Sequence, residues 1–289
     1  MNPPNTERSV TRIVQGQATS DGAGVRLFRV IGGQTLPELD PFLLLDEFVS
    51  DDPDDYIGGF PEHPHRGFET VTYMLDGHML HEDHLGNRGD LLPGGAQWMS
   101  AGRGIIHSEM PQQESGRMRG FQLWINLPAA EKMKPAAYRD IRPDEIPQAA
   151  LRGGGAARVI AGSIVVDGRE VAGPVQGLST EALYIDVRLP VGGQFAQELP
   201  AGHNAFVYAY EGSLHIGPAE DRRPLVAQDA GVLSAGEQVE IHAVDGPARF
   251  LLLAARPLGE PVVQHGPFVM NTREEIDQAI ADYRDNRLV

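Results

Sequence analysis

The chain has 289 residues, enough for about two domains at ~150 residues each, and its 41% hydrophobic and 22% charged content excludes a disordered or fibrous chain. With 24 basic against 40 acidic side chains, the net charge of -16 argues against direct nucleic-acid binding and against an anionic membrane surface, because both need Lys and Arg to neutralise phosphate; a basic protein partner stays compatible. No cysteine is present, so disulfides, iron–sulfur clusters and Cys nucleophiles are excluded, and any metal must be held by carboxylates and the ten His.

Along the chain, residues 1–8 are polar and lack the apolar core of a signal peptide. Apolar stretches such as 250–255 fall far short of the ~20 residues a bilayer span needs, so a cytoplasmic location is expected. Short apolar runs then recur at 42–45, 70–75 and 121–125, and again at 183–187, 205–208 and 249–253. Turns containing Gly, Pro or Asp separate most of them. That rhythm, in a chain with 34 Gly and 22 Pro, predicts an all-β protein of sandwich or barrel type.

A boundary is expected between Glu131 and Gly155, where Lys132, Lys134, Pro135, Pro143 and Pro147 break the apolar rhythm. Placed at 137/138, it gives units 1–137 and 138–289. Each half repeats one grammar: a strand into a Gly turn (Gly77; Gly212), a second Gly turn (Gly94; Gly236), then a strand carrying His107 or His242. Near the C-terminus, Thr272-Arg273-Glu274-Glu275 reads as a capping box. Ile276, Ala279, Ile280 and Tyr283 form one apolar stripe, which predicts a helix at about 272–286.

Two segments carry metal-ligand chemistry: Glu62-His63-Pro64-His65-Arg66-Gly67-Phe68-Glu69 and Gly104-Ile105-Ile106-His107-Ser108-Glu109-Met110. In a strand, residues two apart share a face, so His63 projects with His65, and His107 with Glu109. Two such strands lining one barrel would bring three imidazoles and a carboxylate together, a set suited to Fe, Mn, Ni, Co, Cu or Zn. Glu69 has the same parity as His63 and His65 unless Gly67 introduces a bulge. Spacing therefore leaves Glu69 and Glu109 both open as the carboxylate ligand. His78, His81 and His84 stand among Asp76, Glu82 and Asp83 and read as a solvated hairpin loop. Trp98, Trp124 and Phe121 read as core residues.

The His-x-His-x3-Glu segment followed by Gly77 and Pro93-Gly94 resembles the paired motifs of the cupin superfamily. The longer blocks resemble the pirin family: Asp40-Pro41-Phe42-Leu43-Leu44-Leu45-Asp46-Glu47-Phe48, Gln97-Trp98-Met99-Ser100-Ala101-Gly102-Arg103-Gly104, Phe121-Gln122-Leu123-Trp124-Ile125-Asn126-Leu127-Pro128 and His265-Gly266-Pro267-Phe268-Val269-Met270-Asn271-Thr272. The resemblance implies a bicupin: two jelly-roll-like, double-stranded β-helix barrels packed face to face, with a C-terminal helix. It implies Fe(II) in the N-terminal barrel on His63, His65, His107 and Glu109, with Ni, Mn, Co, Cu or Zn as other candidates. The C-terminal barrel offers only His203 and His242, which read as structural. Phe60, Gln122 and Asp46 match positions that border a substrate pocket in the family.

What the resemblance implies about activity is a quercetin (flavonol) 2,3-dioxygenase. Such an enzyme opens the heterocyclic ring of a flavonoid-like small molecule with O2 and releases CO, with Glu109 as catalytic base. A redox-responsive iron protein acting through a protein partner is the alternative, since other family members work that way.

Overall fold

The computed structural model describes residues 6–289, so part of the polar N-terminal stretch, residues 1–5, lies outside the described residues. The first twelve strands are β1 (Val10–Gln15), β2 (Gln17–Asp21), β3 (Val25–Ile31), β4 (Phe42–Ser50), β5 (Phe60–His65), β6 (Phe68–Asp76), β7 (Met79–Asp83), β8 (Arg88–Leu91), β9 (Ala96–Ser100), β10 (Ile105–Pro111), β11 (Met118–Asn126) and β12 (Ala137–Ile141). Twelve more strands follow, then one α-helix, α1 (Arg273–Arg284). Among the described residues, no helix is long and apolar enough to cross a membrane.

The chain forms two compact units. One comprises Gln17–Asp144 with Leu258–Val289; the other comprises Glu145–Pro257 with the N-terminal segment through Gly16. The termini are thus exchanged relative to a simple cut at 137/138. Strand pairing explains the exchange: β1 adds to the edge strand Asp229–Leu233, and Phe268 bridges to Arg66. The helix expected at the end of the second half therefore belongs with the first-half strands. There the Arg66 Nη1 donates to Asp282 of α1 at 2.8 Å, and the buried Lys132 ammonium donates to the Gly67 and Val269 carbonyls and to the Asn126 side chain.

The unit that begins at Gln17 is built on two large sheets, with a two-stranded ribbon, Val263–His265 and Phe268–Met270, beside them. A seven-stranded sheet has the order β12-β9-β6-β11-β4-β3-β2, and a four-stranded sheet has the order β5-β10-β7-β8. Tyr73 and Phe121, on neighbouring strands, are fully buried. The other face of the sheet presents alternate residues, among them Thr72 on β6, Gln122 on β11 and Asp46 on β4. α1 is capped as the sequence predicts: the Glu275 N–H donates to Thr272 Oγ1, and Glu275 returns the bond to the Thr272 N–H. Its Ile276 and Ala279 are fully buried with Phe268 and Met270.

The second unit has a nine-stranded sheet centred on the strand Gln238–Ala255, which pairs with Asn204–Ile216 and Leu183–Leu189, and a separate two-stranded ribbon, Ser163–Val166 with Arg169–Ala172. Its core is a continuous set of aliphatic and Phe side chains, including Val187, Val207, Phe250 and Leu252. Arg8, wholly buried, donates to the carbonyls of Pro200, His203, Ser234 and Gly236 and so ties the N-terminal segment to this unit.

Candidate metal centre

β5 and β10 run antiparallel, and His107 lies directly opposite His63 while Ile105 lies opposite His65. Strand alternation puts all three imidazoles on one face. Their ring centroids are 4.4 to 5.0 Å apart. One ligand atom from each lies within 4.8 Å of the other two.

The hydrogen bonds to the outer nitrogens aim the inner ones. His63 Nδ1 donates to the Pro61 carbonyl at 2.8 Å, and His65 Nδ1 donates to the Pro267 carbonyl at 3.4 Å. A neutral imidazole carries one N–H, so both bonds leave the lone pair on Nε2. The two Nε2 atoms are 3.0 Å apart. Nitrogens ~2.1 Å from one ion at right angles would be separated by about the same distance. His107 Nε2 is buried and has no hydrogen-bond partner. Burial, reinforced by the neighbouring imidazoles, holds His65 and His107 well below the ordinary His pKa, so both rings are neutral at neutral pH. The residues present fit a transition-metal ion: three converging imidazole nitrogens, one of them buried with no hydrogen-bond partner.

Glu109 reaches the same cavity by a different route. The register of β5 against β10 slips between His107 and Glu109, where one extra β5 residue is accommodated. The carboxylate, 3% exposed, is held by the seven-stranded sheet: Thr72 Oγ1 donates to Oε1 at 2.6 Å and Gln122 Nε2 donates to Oε2 at 2.9 Å. Three of the four expected ligands therefore cluster, and Glu109 stands beside them in the cavity wall. Glu69 is turned away. β5 ends at His65, Gly67 takes a positive φ of 93°, and β6 restarts the alternation with Thr70 and Thr72 toward the cavity. The Glu69 carboxylate instead accepts the Trp98 indole N–H at 3.1 Å and meets Lys134.

Beside the imidazoles lies a cavity of about 580 Å³. Phe60, Asp46 and Gln122, the three residues expected at a substrate pocket, all line it. Across its floor the ladder registers place Thr72, Gln122, Asp46 and Arg29 in one polar row over four neighbouring strands. An apolar row flanks it on either side, Leu27 with Phe48 and Leu44 with Trp124. Arg29 makes a two-point contact with Asp46 at 2.9 and 2.7 Å and also reaches Asp21. Burial pushes the Asp46 carboxyl up to about 6 despite Arg29.

Some readings of the sequence change here. Trp124 is a wall of the cavity rather than core. His81 is buried, at 2% exposure, in β7 opposite Glu109, and is no part of a solvated loop. Alternation explains it: within Met79–Asp83 the polar residues divide, with His81 and Asp83 turned inward and Glu82 outward. Arg29 was not singled out from the sequence; its place two residues after Leu27 on a half-buried strand is the signal that could have found it. In the second unit, His203 Nε2 lies 3.5 Å from Glu181 and His242 Nε2 lies 3.5 Å from Glu240.

A family model described as Pirin matches residues 24–125, and one described as Pirin C-terminal cupin domain matches residues 184–289. The chain belongs to the pirin family. It is 44% identical to human Pirin over 283 residues, covering 97% of this chain and 93% of the human one. It is 54% identical over 282 residues to a Pseudomonas aeruginosa protein provisionally named quercetin 2,3-dioxygenase, covering 97% and 98% of the two chains. Among solved structures, a Quercetin 2,3-dioxygenase from Acinetobacter baumannii superposes with a TM-score of 0.88 at 31% identity, covering 98% of this chain and 99% of that one. This pirin-family chain thus pairs an all-β bicupin architecture with a three-imidazole cluster suited to a metal cofactor.

Proposed function

We propose that this pirin-family chain is a metal-dependent flavonol 2,3-dioxygenase of the quercetinase type. The observation that carries the reading is the convergence of three imidazoles, with a carboxylate beside them, on a cavity large enough for a small flat molecule. The names carried by the Pseudomonas and Acinetobacter proteins support it. The cavity volume of about 580 Å³ falls within the roughly 300–1,000 Å³ that small-molecule sites occupy. A cavity of that size beside the cluster favours catalysis over a purely regulatory role.

His63, His65 and His107 would hold the ion, with Glu109 in the wall of the same cavity as the fourth ligand of the set; Fe(II) is the ion we favour, and Ni, Mn, Co, Cu or Zn fit the same donors. When bound, such an ion supplies Lewis-acid lowering of a substrate hydroxyl pKa. The chain's own residues do the rest. Glu109 accepts the proton of the flavonol 3-hydroxyl, and the Thr72 and Gln122 donors fix the carboxylate for that transfer. Phe60, Trp124, Phe48, Leu27 and Leu44 supply apolar walls that exclude water and hold an aromatic ring system. The Arg29–Asp46 pair offers donors and acceptors to ring hydroxyls. The deprotonated flavonol then reacts with O2, its heterocyclic ring opens, and CO leaves.

The test is aerobic and anaerobic incubation of iron-loaded protein with quercetin, following loss of the flavonol and release of CO. Turnover that requires O2 and yields one CO per flavonol is expected. An iron-loaded chain that leaves quercetin intact in air would overturn the assignment.

A further inference from the structure

His107 differs from its two partners in how its outer nitrogen is satisfied. His63 and His65 each use a backbone carbonyl, which can only accept. His107 Nδ1 instead faces Nδ1 of His81 at 3.4 Å. Two imidazole nitrogens can share one proton in either sense, so this contact alone leaves the His107 tautomer undetermined. A third residue decides it. Asp83, whose side chain is wholly buried, accepts at Oδ1 from the Leu85 and Asn87 N–H groups at 2.9 and 3.0 Å, and at Oδ2 from Asn87 Nδ2 at 2.8 Å. The remaining approach to Oδ2 is taken by His81 Nε2 at 3.5 Å.

We propose that Asp83 and His81 are a positioning pair that fixes His107 in the tautomer presenting a bare Nε2 to the metal. The argument runs by elimination. A carboxylate offers no proton, so His81 carries its own on Nε2 and donates it to Asp83. His81 Nδ1 is then an acceptor, so the shared proton belongs to His107 Nδ1. His107 Nε2 is left with its lone pair, and that atom is the one buried without a partner beside His63 and His65. His81 is held in place by stacking on Tyr138, with ring centroids 4.2 Å apart and planes 19° from parallel. The Tyr138 hydroxyl is itself bonded to Asp140. The side chains of His81 and Asp83 are 3% and 0% exposed, so water does not substitute for either. Outer-shell partners of this kind orient the ring and raise its basicity as a ligand.

The proposal rests on reading the three-imidazole cluster as a metal centre, but its primary test needs no metal. Long-range proton–nitrogen correlation NMR on the metal-free wild-type chain, with 15N-labelled His, reports each ring's tautomer directly. His107 is expected as the Nδ1–H form; an Nε2–H form would overturn the proposal. In Asp83→Asn the amide oxygen keeps the two backbone N–H donors and the amide nitrogen faces His81. That reverses the chain of donors and moves the His107 proton to Nε2. Co(II) affinity, read by chelator competition, is then expected to fall about 10- to 100-fold. An Asp83→Asn chain with unchanged tautomer and unchanged Co(II) affinity would also overturn it. A wild-type chain in the Nδ1–H form that takes up no Co(II) supports the pair and overturns the metal reading, so the two failures are separable.

Discussion

His63 and His107 stand directly opposite each other across the β5–β10 ladder, with ring centroids 4.4 Å apart. One is partly exposed at the cavity mouth and the other is buried at 2% exposure. The same cluster therefore contains an imidazole whose removal is expected to disturb little else and one that is part of the packed interior.

That asymmetry separates metal loss from unfolding. His63→Ala is expected to lower metal affinity at least tenfold, since even outer-shell changes reach that size, with a stability loss of about 1 kcal/mol or less, typical of half-exposed sites. His107→Ala is expected to lose metal equally but to cost more, on the order of 2–3 kcal/mol, because it empties a buried site. Equilibrium dialysis and thermal unfolding of the metal-free variants measure the two quantities.

The pH dependence of the metal-free chain follows from the two buried imidazoles. His65 and His107 are held well below the ordinary value of 6.5, first by burial and then by neighbouring imidazoles, His63 beside His65, and His65, His63 and His81 around His107. Below pH 6.5 the unfolded chain therefore binds protons that the folded chain does not. Stability is expected to be full above about pH 6.5 and to decline as pH falls below it. His65→Phe should flatten that decline in denaturant titrations between pH 7 and 5.

Asp46 titrates with the opposite sign. Its folded value of about 6 lies above the ordinary 3.8, so the folded chain takes up this proton first. The associated stability is present below about pH 4 and is lost as pH rises through 6, a swing of at most ~3 kcal/mol. Asp46→Asn is expected to remove the swing. Arg29→Met, which leaves the carboxylate unpaired at neutral pH, is expected to cost roughly 3 kcal/mol. Denaturant midpoints across pH 4 to 7 read both.

Glu109 is expected to matter more for turnover than for metal content, because its two oxygens are held by Thr72 and Gln122 rather than drawn into the imidazole cluster. Glu109→Gln should lower quercetin turnover about 10²- to 10⁴-fold. Gln122→Leu, which removes one of the two donors, should give a smaller loss with metal content unchanged. Steady-state rates beside metal analysis of the same preparations settle the comparison.

Much of this site was legible from residue order alone. The two-residue spacing of His63 and His65 fixes a shared face in any strand, and the capping box at Thr272 fixes the start of α1. Glu69 could not be separated from Glu109 by spacing, because the outcome depends on whether Gly67 interrupts the alternation. The burial of His81 was hidden by its neighbours: Glu82, Asp83 and His84 read as a polar loop, whereas only Glu82 on β7 turns outward to Arg88. The polar row from Thr72 to Arg29 draws on four strands separated by tens of residues, and only cross-strand register assembles it. The same non-local pairing moved β1 into the second unit and α1 into the first half's unit.

The most direct measurement of the central claim is anomalous diffraction from crystals of the iron-reconstituted chain, with data collected on both sides of the iron absorption edge. The account requires a single strong peak about 2.0–2.2 Å from the Nε2 atoms of His63, His65 and His107. A peak elsewhere, or none at these three nitrogens in fully reconstituted crystals, would contradict it.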